Sequence, residues 1–208
     1  MQPKLSHVSL VVAVCLVTAV ASLAQSKTLT PEERASALKS LQATHDAFLQ
    51  SISGLSEKQW TFKPAPDRWS VAEVSEHITV SESTLFGLVQ KTVAGPATPD
   101  KRSEVKVTDE QILQMVPDRS HKAQAPEFLQ PTGRWATRDE LTKTFEDARK
   151  ATIDYVKTTP DDLRDHFEAH PKLGPMDAYQ WILLISAHSE RHTKQIEEVK
   201  ADPNFPKE

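Results

Sequence analysis

Cysteine is nearly missing: the 208 residues contain one, Cys15, and it falls in an apolar run near the N-terminus. If that run is removed on export, no thiol remains, which excludes a disulfide framework, a thiolate metal site and a cysteine nucleophile. Glycine is scarce at 5 residues, and no Asn-Gly or Asp-Gly pair is present, so the strongest hairpin signals are missing. No long basic run occurs, and the formal net charge is −4. Nucleic acid is therefore not expected as a partner. The one apolar run, residues 8–20, is shorter than the about 20 residues that span a bilayer, and Ser9 and Thr18 interrupt it.

What is present begins with that run. Lys4 precedes it, and Ala19-Val20-Ala21 and Ser22-Leu23-Ala24 follow it with small residues suited to a signal peptidase. Residues 1–24 are read as a signal peptide cleaved after Ala21 or Ala24, and the protein as exported, periplasmic or secreted. A retained anchor is the alternative. Val12-Ala13-Val14 before Cys15 is a poor lipoprotein site, so a lipid anchor is not expected, nor is stable membrane insertion after cleavage. Residues 25–208 suffice for one domain with a sizeable core.

That domain reads as all-α. Thr30-Pro31-Glu32-Glu33 opens a helix with a capping box and a proline at its first position, and Leu38, Leu41, His45, Phe48 and Ile52 form its apolar stripe. Ser70-Val71-Ala72-Glu73 opens a second helix, to about residue 92, with Val74, His77, Ile78, Ser81, Leu85, Leu88 and Val89 on one face. Prolines punctuate residues 95–135, where only a short helix after Thr108 is expected. Thr137-Arg138-Asp139-Glu140 opens a third long helix, using Leu141, Phe145, Ala148, Tyr155 and Val156. Residues 160–174 read as loop with a turn of helix, and residues 175–200 as the last long helix. Four amphipathic helices with no convincing strand predict a four-helix bundle with a long crossover between the second and third long helices.

Histidine placement carries the functional signal. His188 and His192 are four residues apart, so they stand one turn apart on one helical face. Trp181, Leu184, Ile185, Ile196 and Val199 share that stripe. Two imidazoles on a core-facing stripe need a partner, because a buried polar group without one costs roughly 1–3 kcal/mol. A divalent ion would satisfy both, and His77 on the second helix is the third candidate ligand. His166 and His170 repeat the spacing in a polar, proline-flanked segment where helical geometry is doubtful, so they are set aside, as is His121 in the crossover. Glu190 does not reproduce the His-Glu-x-x-His arrangement of zinc proteases and points away from the pair. Glu73, one turn before His77, could orient its ring, although the capping box accounts for it. His45 is the candidate for proton transfer or substrate contact if it points at an open coordination position.

With its blocks Trp69-Ser70-Val71-Ala72-Glu73-Val74-Ser75-Glu76-His77-Ile78 and Ala187-His188-Ser189-Glu190-Arg191-His192, followed by Gln195-Ile196, the chain resembles the DinB-like superfamily of metal-binding four-helix bundles over nearly all of the mature sequence. The resemblance implies a divalent metal, zinc, nickel or iron, held by one histidine of the second helix and two of the fourth, here His77, His188 and His192. Relatives include thiol-dependent transferases and isomerases and proposed metal-dependent hydrolases acting on small molecules. Export departs from the cytoplasmic thiol users. Beside a metal-dependent enzyme stands a non-catalytic metal- or small-molecule-binding bundle of the cell envelope, and a homodimer is possible in either case.

Overall fold

The computed structural model describes residues 28–121 and 124–207. The signal-peptide reading lies outside these residues, and no helix among them is long and apolar enough to cross a membrane. In chain order the elements are α1 (Pro31–Ile52), α2 (Glu57–Thr61), α3 (Val71–Ala94), α4 (Asp109–Met115), α5 (Arg138–Thr158), strands β1 (Phe167–His170) and β2 (Gly174–Asp177), and α6 (Ala178–Lys200). The four long helices, α1, α3, α5 and α6, form the bundle. Short 3-10 turns at Pro99–Glu104 and Glu127–Leu129 punctuate the crossover from α3 to α5.

Each of the six α-helices starts with a capping box, which satisfies N–H groups that the first turn leaves free. Thr30 with Glu33, Ser70 with Glu73 and Thr137 with Glu140 are the three boxes expected from sequence. Ser56 with Gln59, Thr108 with Gln111 and Asp177 with Gln180 complete the set.

Two readings are corrected. Residues 160–174 do not form only a loop: β1 pairs antiparallel with β2 in the register Phe167↔Asp177 through His170↔Gly174. Gly174, at φ 79°, supplies the left-handed residue that closes the turn. Strands this short, with Phe167-Glu168-Ala169-His170 against a proline-bearing partner, carry no alternation to detect. As a consequence α6 begins at Ala178 rather than residue 175, because Pro175 belongs to β2 and Asp177 is the cap.

The core comes in two apolar clusters. One holds Phe48, Ile52, Val74, Ile78, Phe145, Ile196 and Val199, and the other Leu41, Val89, Val156, Ile182 and Ile185. Between them lies a polar waist. Arg149 of α5 is wholly buried and pairs with buried Glu82 of α3 through two hydrogen bonds, at 2.8 and 2.7 Å. It also donates to the Leu41 carbonyl and Thr44 Oγ1 of α1 and to Ser189 Oγ of α6. One guanidinium thereby joins all four long helices with its five N–H donors used.

Candidate metal centre

The two halves of the centre are set by helices that pack on each other. Val71 and Val74 of α3 share a cluster with Val199 and Ile196 of α6, so the start of α3 lies against the end of α6. Antiparallel packing in that register brings His77 opposite His188 and His192. The Nε2 atom of His77 lies 3.2 Å from Nε2 of His188 and 3.2 Å from Nε2 of His192. One ligand-type nitrogen from each ring falls within 4.8 Å of the other two, and this is the one such His, Cys, Asp or Glu cluster among the described residues. Bonds of 2.0–2.1 Å at tetrahedral to octahedral angles would place two nitrogens about 2.9–3.4 Å apart, so the spacing suits a shared cation.

The donors on the other ring nitrogens sharpen that fit. His77 Nδ1 lies 2.9 Å from the Leu129 carbonyl, which can only accept, so Nδ1 carries the proton and Nε2 presents a lone pair. His192 Nδ1 lies 2.9 Å from Gln195 Oε1, and Arg119 donates to the same oxygen at 3.2 Å, fixing it as an acceptor. Nε2 of His192 is therefore also unprotonated. Two lone pairs facing each other at 3.2 Å cannot hydrogen-bond; a cation between them turns repulsion into coordination.

Protonation does not compete at neutral pH. Burial pushes His77 below the ordinary imidazole value, against the pull of the Leu129 carbonyl. Burial, with His77, Arg191 and His170 nearby, takes His188 down to about 3. Burial and the two neighbouring rings lower His192 strongly. His188 and His192 are half-buried as whole residues, whereas His77 is buried against Trp69, its ring 5.1 Å away.

The crossover is anchored around these rings. Glu76, beside His77, accepts from the backbone N–H groups of Thr132 and Gly133 at 2.7 and 2.8 Å and from the Arg134 guanidinium. Burial raises its pKa, but these donors prevail and hold the carboxyl below its usual range. From α6, Arg191 donates to the carbonyls of Val116, Asp118 and His121, and Arg119 is paired with Glu198.

Other histidines and acids fall elsewhere. His45 stacks on Phe145 with 5.8 Å between centroids and hydrogen-bonds Asp46, and neither contact reaches the three rings. Glu73 completes its capping box and pairs with Lys63, leaving the orienting role to Leu129. Glu190 pairs with Lys194. His166 Nδ1 lies 3.2 Å from the Thr92 carbonyl. Leu129, Arg119 and Glu76 carry no spacing signal, because they act through the crossover; Gln195, one turn after His192, was the one orienting residue open to detection.

Residues 40–196 match the DinB superfamily. The uncharacterized protein YuaE of Bacillus subtilis (strain 168) is 24% identical over 149 residues, covering 72% of this chain and 88% of YuaE. Among solved structures, YfiT from Bacillus subtilis superposes with a TM-score of 0.58 at 12% identity, over 86% of this chain and 93% of YfiT. It is described as a probable metal-dependent hydrolase with an unusual four-helix bundle topology.

Proposed function

From a chain that belongs to the DinB superfamily, we propose an exported metal-dependent enzyme in which His77, His188 and His192 hold one divalent ion through Nε2. The observation that carries this reading is the pair of unprotonated nitrogens of His77 and His192 at 3.2 Å. An all-imidazole donor set suits zinc, nickel or iron. An ion held there supplies Lewis acidity. The protein's part is to keep the three rings neutral, to fix two of them through Leu129 and Gln195, and to hold the crossover beside them. All three rings come from one chain, so the centre requires no partner copy.

Hydrolysis of a small molecule is the favoured reaction. The description of YfiT points that way, and a thiol cosubstrate would be scarce outside the cytoplasm. His45 is left out of the machinery because its ring is engaged by Asp46 and Phe145. The second reading is a non-catalytic metal- or small-molecule-binding bundle.

Elemental analysis of the mature protein, purified without chelators and after metal add-back, tests the metal reading. About one equivalent of a transition metal per chain is expected, lost in His77→Ala and His188→Ala, and less than about a tenth of an equivalent overturns it. A screen of the loaded protein against hydrolase and thiol-transferase substrates separates enzyme from binder. N-terminal sequencing of protein recovered outside the cytoplasm tests export, with Ser22 or Gln25 as the expected first residue.

A further inference from the structure

The hairpin missed in the sequence carries a histidine back onto the metal stripe. β1 and β2 fold over the start of α6, held by the Ala178 N–H donating to the His166 carbonyl and by Trp181 Nε1 donating to the Glu168 carbonyl. His170, the last residue of β1, packs its ring on Trp181 with centroids 5.5 Å apart. Trp181 is seven residues before His188, two turns along the same face. Side chains on a helix lean toward its N-terminus, so the His188 ring leans toward the hairpin rather than away from it.

The His170 tautomer is fixed. Its Nδ1 accepts from the backbone N–H groups of Lys172 and Leu173, at 3.2 and 3.1 Å, as part of the turn. The proton therefore sits on Nε2, and that N–H has no hydrogen-bond partner among the described residues. Half-burial, with Lys172 nearby, keeps the ring neutral. The result is an oriented, uncharged donor whose other nitrogen is already committed.

We propose that His170 is a substrate-contacting residue whose Nε2–H binds an acceptor oxygen, a carbonyl or carboxylate, of a small molecule held at the three-histidine centre. This rests on the metal reading above and adds the group that the ligand must present. A neutral donor selects for an oxygen acceptor without demanding full negative charge.

Two substitutions divide the ring between its jobs. His170→Asn keeps an acceptor where Nδ1 stands and removes the donor; His170→Gln keeps an N–H near Nε2 and gives up the turn acceptor. The wild type and both variants are loaded with Co²⁺ and titrated with acetohydroxamate, an oxygen ligand with a second acceptor, followed by the visible cobalt spectrum. Equal cobalt affinity in all three is expected, with acetohydroxamate affinity down about tenfold in His170→Asn and held within about threefold in His170→Gln. Unchanged acetohydroxamate binding in His170→Asn overturns the proposal, as does an equal loss in both variants. A loss of cobalt affinity in His170→Asn overturns it too, since the ring would then shape the metal site. Absence of any cobalt spectrum in the wild type defeats the metal reading and this inference together, whereas failure of the asparagine arm alone leaves the metal reading standing.

Discussion

A histidine becomes a ligand through what its far nitrogen touches. His77 and His192 meet acceptors at Nδ1, Leu129 O and Gln195 Oε1, while His188 Nδ1 has no partner among the described residues. Removing Gln195 by Gln195→Ala should lower metal affinity about 10–100-fold, measured by competition with a chromogenic chelator, while the circular dichroism stays unchanged. The three rings also set a pH dependence. All sit below the ordinary imidazole value of 6.5 when folded. The unfolded chain therefore binds protons that the metal-free folded chain refuses, and stability falls as pH drops below about 6.5. For His188 the loss continues to about pH 3. Thermal midpoints of chelator-treated protein should fall between pH 7 and pH 5, with a smaller drop in His188→Leu; equal drops would contradict the assignment. Residue identities at the centre were legible because spacing on a helix reports a face. The orienting carbonyl of Leu129 was not, since any residue has one.

Between elements, the deciding contact is the waist. Arg149 and Glu82 are charged yet buried, and Arg149 lies four residues after Phe145 on the buried stripe of α5. Periodicity shows that a position faces inward; only the facing helix tells whether a charge can stay there. Truncating one partner leaves the other charged and buried. Arg149→Met is therefore expected to cost about 3–5 kcal/mol in urea unfolding, and the double variant Arg149→Met with Glu82→Leu less than either single change. The crossover makes a parallel case. Gly133, at φ 76°, turns its N–H toward Glu76, and three backbone donors converge on that carboxylate. Glu76→Gln should speed hydrogen exchange at residues 130–134 while α1 and α5 keep their protection. The capping boxes at Thr30, Ser70 and Thr137 were readable because both partners lie in one short stretch, whereas the β1–β2 hairpin depends on where its two short strands fall against α6.

For the molecule as a whole, far-apart segments are joined by ions around the N-terminal cap of α6. Arg164 meets Glu33 of α1, Asp109 of α4 and Asp177, the cap of α6, and lies over the Tyr179 ring. Burial lowers its pKa, but these carboxylates more than compensate and hold the guanidinium charged. That node fixes the start of α6 independently of the three rings, so metal release should not unfold the bundle. Chelation is expected to lower the thermal midpoint, because an ion bound only by the folded chain adds about 4 kcal/mol at a thousandfold excess over its dissociation constant. The far-ultraviolet spectrum at 25 °C should remain helical. A chain that loses its helical spectrum on chelation would place the ion among the requirements for folding.

Within α6, three successive duties are interleaved at single-residue spacing: His188 and His192 face α3, Ser189 reaches Arg149, and Arg191 grips the crossover. Adding or deleting one residue upstream of this stretch turns everything after it by about 100° relative to the start of the helix. No such slip can be absorbed by repairing one contact, since coordination, waist and strap would all be misaligned at once. Length changes should therefore be tolerated in the crossover and forbidden between Trp181 and Gln195, and a library of single-codon insertions scored for soluble, metal-loaded protein would map that boundary directly.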